Sequence, residues 1–286
     1  MKNKKWISLA AAVVLAVTAL PMTAFAAKKD GAEEKITKVT LNEVAHSIFY
    51  APQYVAIEEG YFAEEGLDLT LVTGFGADKV LTALISGEAD ICFMGAEASI
   101  YAYQEGATDP AVNFAQLTQR AGNFLVAREE MSDFKWEDLK GKKVLGGRKG
   151  GMPEMVFEYI LKKNGIDPQK DLTIDQSIDF GSTAAAFTGD DSAAYTVEFE
   201  PSATILEKEG AGHVVASLGE ASGYVPYTSY SVKTSYMKEN PEIIQKFTNA
   251  LQKGMDYVQS HTPEEIAEVI APQFKETDID TITTIV

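Results

Sequence analysis

From residue 36 onward, short runs of alternating apolar and polar positions are interleaved with stretches whose apolar residues recur every three or four places. The first pattern is that of a half-buried strand and the second that of an amphipathic helix. Residues 36–43 alternate and read as a strand. A short helix is expected over 52–59, with Gly60 as its stop. A second strand follows at 67–73. Residues 77–86 form a helix with Val80, Leu81, Leu84 and Ile85 on one face and Gly87 at its end. Further strands are expected at 89–94, 112–117 and 124–127, with a helix over 96–105 between the first two. Short strands alternating with short helices predict a parallel sheet covered on both faces.

The pattern then restarts. Trp136-Glu137-Asp138-Leu139 and Gly141 lead into a strand at 143–145, and a helix over 152–163 is stopped by Asn164-Gly165. Strands at 172–178, 193–197 and 213–217 alternate with helices at 182–187 and 201–209. The chain therefore divides into a first lobe over 36–128, a second over 141–224, and a return strand with helices over 226–286. In this last part Asn240 caps a helix with Pro241 in its first turn, and Ile243, Ile244, Phe247, Leu251, Met255 and Val258 share a face. Thr262-Pro263-Glu264-Glu265 is a capping box for the next helix. A third, from Thr277, is cut off at Val286, the expectation for a chain lacking its last helices.

The first residues bear on the compartment. Lys2, Lys4 and Lys5 precede an apolar or small run from Trp6 to Leu20, then Pro21 and Ala24-Phe25-Ala26. This order predicts a secretory signal peptide over 1–26, cleaved after Ala26. The run has 15 residues, short of the roughly 20 that span a bilayer, so insertion in the membrane is not expected. The chain is thus expected in the periplasm or outside the cell. No cysteine lies near the cleavage point to carry a lipid. Cleavage removes three lysines and no acid, taking the formal charge from −17 to −20. So acidic a surface argues against nucleic acid and anionic lipid as partners. Cys92, the only cysteine, falls in an apolar run where packing is its expected role.

Tests for catalysis fail. Gly74-Phe75-Gly76-Ala77-Asp78-Lys79 has the setting of a dinucleotide loop, but Lys79 replaces the third glycine. Residues 146–151 begin like a phosphate loop, but Met152-Pro153 stands where Lys and Ser/Thr are needed. His46, His213 and His261 lack ligand spacing, so neither a metal nor another cofactor is expected. Ser235-Tyr236-Met237-Lys238 fits a Ser-x-x-Lys pattern without its companion motifs.

Binding is better represented. In open α/β sheets, ligands lie beyond the carboxyl ends of the strands. His46, Ser47, Phe49 and Tyr50 follow the first strand, Gly74 and Phe75 the second, Glu97 the third and Arg120 the fourth. In the second lobe Gly150, Gly151 and Met152 open a helix whose free N–H groups can hold an anionic or carbonyl group. Phe180, Glu198, Glu200 and Tyr227 come from later loop positions. Each has a plain structural alternative. Phe49 and Tyr50 can pack a helix on the sheet, Arg120 can pair with a surface carboxylate, and Glu198 and Glu200 can be solvated.

Ala51-Pro52-Gln53-Tyr54-Val55-Ala56-Ile57-Glu58-Glu59-Gly60-Tyr61-Phe62, Glu64-Glu65-Gly66-Leu67-Asp68-Leu69, Ser86-Gly87-Glu88-Ala89-Asp90 and the run from Trp136 to Lys142 resemble a family of ABC importer binding proteins. That family serves nitrate, sulfonates, taurine and thiamine-pyrimidine precursors. The resemblance implies a type II periplasmic-binding fold, two α/β lobes with a ligand cleft between them, and a monomer that delivers its solute to membrane permease subunits. The family also holds a eukaryotic pyrimidine synthase with a cysteine-rich motif and bound pyridoxal phosphate, from which a chain with Cys92 alone departs.

Two solute readings and one of another functional class follow. A small heteroaromatic such as a thiamine-type pyrimidine would stack on Phe49, Tyr50, Phe75, Phe180 or Tyr227 and donate to Glu97, Glu198 or Glu200. An organic anion would take Arg120 and the N–H groups of residues 150–152. An exported sensor domain would bind solute for signalling. The number of aromatic and acidic candidates favours the first.

Overall fold

The computed structural model describes residues 36–179 and 181–286. The expected signal peptide over 1–26 and the candidate Phe180 lie outside the described residues.

In the first part of the chain, strands β1 (Thr37–Glu43), β2 (Leu67–Thr73), β3 (Ile91–Met94) and β4 (Ala111–Thr118) alternate with helices α1 (Ala51–Glu58), α2 (Tyr61–Glu64), α3 (Ala77–Ser86) and α4 (Glu97–Gln104). Then come β5 (Asn123–Ala127), β6 (Lys143–Leu145), α5 (Met152–Lys163), β7 (Thr173–Asp175), α6 (Thr183–Gly189), β8 (Tyr195–Phe199), α7 (Ser202–Lys208), β9 (His213–Ser217) and α8 (Leu218–Ser222). The chain returns through β10 (Thr228–Lys233) and ends in α9 (Thr234–Glu239), α10 (Pro241–Ser260), α11 (Pro263–Ile270) and α12 (Ile279–Ile285).

Two five-stranded sheets result, in the orders β2-β1-β3-β10-β4 and β7-β6-β8-β5-β9. Both are mixed, which corrects the expectation of parallel sheets. β1 runs parallel to β2 and β3, and β6 parallel to β7 and β8. β10 is antiparallel to β3 and β4, and β5 is antiparallel to β8 and β9. β5, expected in the first lobe, therefore belongs to the second sheet. The reason is the connection. A parallel neighbour needs a crossover of about a dozen residues or more to bring the chain back round. β5 follows β4 after residues 119–122 alone, and β10 enters from the other lobe through residues 223–227. A strand that arrives directly from the facing lobe inserts head-on.

Each sheet carries its own core. Around the first, Tyr50, Tyr54, Phe93, Tyr230 and Phe247 are fully buried, and the Phe93 and Tyr230 rings stack with centroids 4.3 Å apart. The core of the second includes Leu125, Val144, Phe157, Ile160 and Leu161. Fully burying one such side chain contributes about 1.5–3 kcal/mol. α10 lays Phe247, Ala250, Leu251 and Gly254 against the first lobe. Gly254 is glycine because a Cβ there would collide with the Pro52 carbonyl and press on Ala56 of α1. Cys92 is buried, its Sγ donates to the Val80 carbonyl at 3.1 Å, and burial pushes its thiol up to about 12. It packs, and it is inert at neutral pH.

Candidate ligand cleft

The carboxyl ends of strands from both sheets meet around one small cavity. Val44, Ala45 and Tyr50 come from the segment after β1, Gly95 and Glu97 from after β3, and Ala77 from the start of α3. The second lobe adds Gly151, Met152 and Pro153 at the start of α5 and Phe199 at the end of β8. Tyr227 and Thr228 enter from the crossing into β10. The walls are mostly apolar and aromatic.

Glu97 is the charged group of this lining. It opens α4 and is only 4% exposed. Its carboxylate folds back over Gly95, into space that a Cβ at residue 95 would fill. Neither oxygen has a hydrogen-bond partner among the described residues. Burial pushes the carboxyl up to about 7, and the nearby N–H groups of Glu97 itself and of Met152 across the cleft temper the rise. The Tyr227 hydroxyl is likewise buried without a partner among the described residues, and burial raises its pKa well above the ordinary phenol value. Buried polar atoms are normally paired. Two unpaired groups on one cavity are what a site made to receive a polar ligand presents.

Of the residues singled out from sequence, Tyr50, Glu97, Gly151, Met152 and Tyr227 share this cavity. The other described candidates lie elsewhere. The two ring nitrogens of His46 face the Glu43 carboxylate at 2.8 Å and the Gln273 carbonyl at 2.9 Å. Ser47 donates to the Glu200 carbonyl at 2.7 Å, a bond between lobes. Phe49 wedges against Gly122 beside Tyr227, ring centroids 6.1 Å apart. Gly74 packs on Val80 and Asn42. Phe75 is 44% exposed and held at a positive φ of 55°.

Arg120 turns away. Its guanidinium lies over the Tyr224 ring at 4.2 Å and donates to the Gly219 carbonyl at 3.1 Å. The Gly150 N–H is taken by Glu154. Glu198 accepts from Thr183 at 2.8 Å and Thr196 at 2.6 Å inside the second lobe, and Glu200 accepts from the Thr204 N–H and hydroxyl at the start of α7. Val44, Ala45, Ala77 and Thr228 were not anticipated. Their position just past strand ends was a usable signal for the first two, whereas small apolar side chains advertise no chemistry.

The cleft is closed at its lip by contacts between lobes. Arg148 pairs with Asp78 of α3 at 2.6 Å and with Asp179 of its own lobe, and Lys79 reaches Asp179 at 3.0 Å. The Tyr101 hydroxyl donates to Met155 Sδ at 3.2 Å. These ion pairs are part-exposed and each contributes about 0–1 kcal/mol. An Arg148→Ala variant should therefore fold normally but release a bound solute about 3- to 10-fold faster, since about 1 kcal/mol is roughly a fivefold change in an equilibrium constant. Stopped-flow dissociation measures this, and an unchanged rate would show that the lip takes no part in retention.

Among the described residues no group of three or more His, Cys, Asp or Glu is placed to hold a metal ion, and no helix is long and apolar enough to cross a membrane. The chain is 49% identical over 280 residues to the "Putative binding protein YtlA" of Bacillus subtilis, covering 98% of this chain and 82% of that one. It is 25% identical to a formylaminopyrimidine-binding protein of Halalkalibacterium halodurans, covering 94% and 79%. The pyrimidine phosphate synthase THI11 of Saccharomyces cerevisiae is also 25% identical, but this chain spans only 63% of its length. Among solved structures, the alkanesulfonate-binding protein SsuA of Xanthomonas axonopodis pv. citri superposes with a TM-score of 0.73 at 15% identity, covering 88% of this chain and 83% of that one. The fold is the type II periplasmic-binding fold. A family model described as NMT1/THI5 like matches residues 48–266, and the chain belongs to that family.

Proposed function

We propose that the protein is the extracytoplasmic solute-binding component of an ABC importer, and that its solute is a small heteroaromatic of the thiamine-pyrimidine kind. One observation carries the choice of solute. The cavity between the lobes is walled by Tyr50, Phe199 and Tyr227, and its charged lining group is a buried carboxylate, Glu97, with no cation beside it among the described lining residues. Aromatic walls suit a flat ring. An organic anion would instead face Glu97: where the group is ionised, two like charges about 4 Å apart repel by about 4 kcal/mol at an effective dielectric constant of about 20, and where it is protonated, an anion brings no donor for its second oxygen. Arg120, the expected anion holder, is engaged outside the cavity. The names of YtlA and of the formylaminopyrimidine-binding protein support capture and, in the second case, a pyrimidine. The cavity offers one carboxyl and phenols, a set suited to recognition rather than a nucleophile with its base. Delivery to permease subunits follows from the family, and export from the expected signal peptide.

The test is a thermal-shift screen of the mature chain with aminopyrimidines, sulfonates and aromatic carboxylates. A solute present at about 100 times its Kd stabilises the native state by about 2.7 kcal/mol. Aminopyrimidines should raise the melting temperature and sulfonates should not. A shift by sulfonates alone would reverse the choice of solute, and silence from every class would remove the capture reading.

A further inference from the structure

The unpaired carboxyl of Glu97 also bears on how the solute is held. We infer that the solute lays an amidine-type edge, a ring nitrogen beside an exocyclic amino group, along the Glu97 carboxyl group, and that capture above neutral pH takes up one proton from solvent. The inference rests on the proposed solute class and adds the bonding and its proton balance.

The geometry leads there in three steps. First, Glu97 is buried at the cavity wall with both oxygens unpartnered among the described residues. An isolated carboxylate in an apolar setting is costly. Second, no countercharge faces it. The titratable groups turned toward it are the phenols of Tyr50, just before α1, and of Tyr227, at the approach to β10, and α5 presents the Met152 N–H. Third, the protonated carboxyl carries one donor and one acceptor side by side. That is the complement of an aminopyrimidine edge, whose ring nitrogen accepts and whose amino group donates. The pair closes with two hydrogen bonds, and the one proton between oxygen and ring nitrogen is counted once whichever atom holds it.

The balance follows. A neutral aminopyrimidine that meets protonated Glu97 changes no proton count. The same ligand meeting the carboxylate needs one proton from solvent to complete the pair. Burial places this changeover at about pH 7, so uptake rises from zero toward one proton per ligand as pH passes 7, and affinity falls about tenfold per pH unit beyond it. A sulfonate cannot form this pair.

Titration calorimetry of the mature protein with 4-amino-5-hydroxymethyl-2-methylpyrimidine, at about pH 8.5 in two buffers of different ionisation enthalpy, reads the proton count directly. Uptake approaching one proton is expected. Glu97→Gln supplies the decisive comparison, because its amide also offers a donor and an acceptor side by side yet does not titrate. It should bind with no proton uptake and a flat pH profile, while Glu97→Ala loses the edge and binds at least about tenfold more weakly. Wild-type binding without proton uptake, or a Glu97→Gln variant that keeps the uptake or cannot bind, would overturn the inference and leave capture standing. If the wild type binds no aminopyrimidine while another solute shifts its melting temperature, the proposed solute class falls and this pairing with it.

Discussion

Replacing Glu43 by alanine is expected to cost about 3–5 kcal/mol of folding free energy, the scale for stripping one member from a buried charged network. Glu43 is fully buried at the end of β1. One oxygen accepts from Thr73 at 2.9 Å and faces His46 Nδ1 at 2.8 Å, and the other accepts from Gln53 at 2.8 Å and Tyr54 at 2.9 Å. Tyr230 in turn donates to Gln53 at 2.9 Å. Removing the carboxylate strands four polar groups in the core of the first lobe. Burial alone would lower the His46 pKa, but its bonds to Glu43 and the Gln273 carbonyl raise it overall. The imidazolium form donates to both. His46 also stacks on Phe274, centroids 4.7 Å apart, so the variant should loosen the segment after α11 as well. Urea unfolding measures the loss, and hydrogen exchange over residues 271–286 measures the loosening. A loss under about 1 kcal/mol, the scale of one ordinary hydrogen bond, would show that water replaces the carboxylate without penalty.

Glu198→Gln is expected to stabilise the unliganded protein at about pH 8 and to leave it unchanged near pH 5. Burial pushes Glu198 up to about 7 against its bonds from Thr196 and Thr183. Its folded pKa thus lies above its unfolded value, and between about 4.5 and 7 the native state binds more protons than the unfolded chain. Stability from this group is complete below 4.5 and lost as pH rises to about 7. A displacement of about 2.5 pH units corresponds to about 3 kcal/mol. The introduced amide can keep one bond as acceptor and one as donor to the two threonines without ionising. The wild type should melt lower at about pH 8 than at about pH 5, and the variant should recover about 1–3 kcal/mol of the difference. Glu97 and His46 act in the same direction and remain in both proteins. Equal melting of the two proteins at the higher pH would mean that Glu198 is hydrated and ionised in the native state.

The sequence revealed local structure well and the pairing of distant elements poorly. The expected helices over 77–86 and 152–163 coincide with α3 and α5, because a glycine stop and a 3.6-residue apolar period are properties of the segment itself. The strand expected over 172–178 shrinks to Thr173–Asp175, since β7 lies at a sheet edge and pairs along three residues only. Nothing in residues 123–127 reveals which sheet they join. That is decided by β8 and β9, some 70 to 90 positions away.

The site shows the same division. The strand-end rule picked out Tyr50, Glu97 and residues 151–152. A period of two puts Glu198 and Phe199 on opposite faces of β8, but it cannot say which face meets the cleft. Phe199 lines it and Glu198 turns inward. Glu43, a carboxylate in an alternating strand, gave no sign of burial, because its cover converges from β2, α1 and, through His46, the segment after α11, a convergence set by tertiary packing and not by the local pattern.

The two insertions that make the sheets mixed also order the assembly of the molecule. The second sheet draws its strands from one uninterrupted stretch, residues 123–217. The first cannot be completed until β10 slides between β3 and β4, more than 100 residues downstream of either. Non-local pairing of that kind slows folding. The second lobe should form early as a template, and the first should remain open along its middle until the chain has crossed back. The last strand to arrive carries Thr228 and follows Tyr227, so the pocket should take shape late in folding.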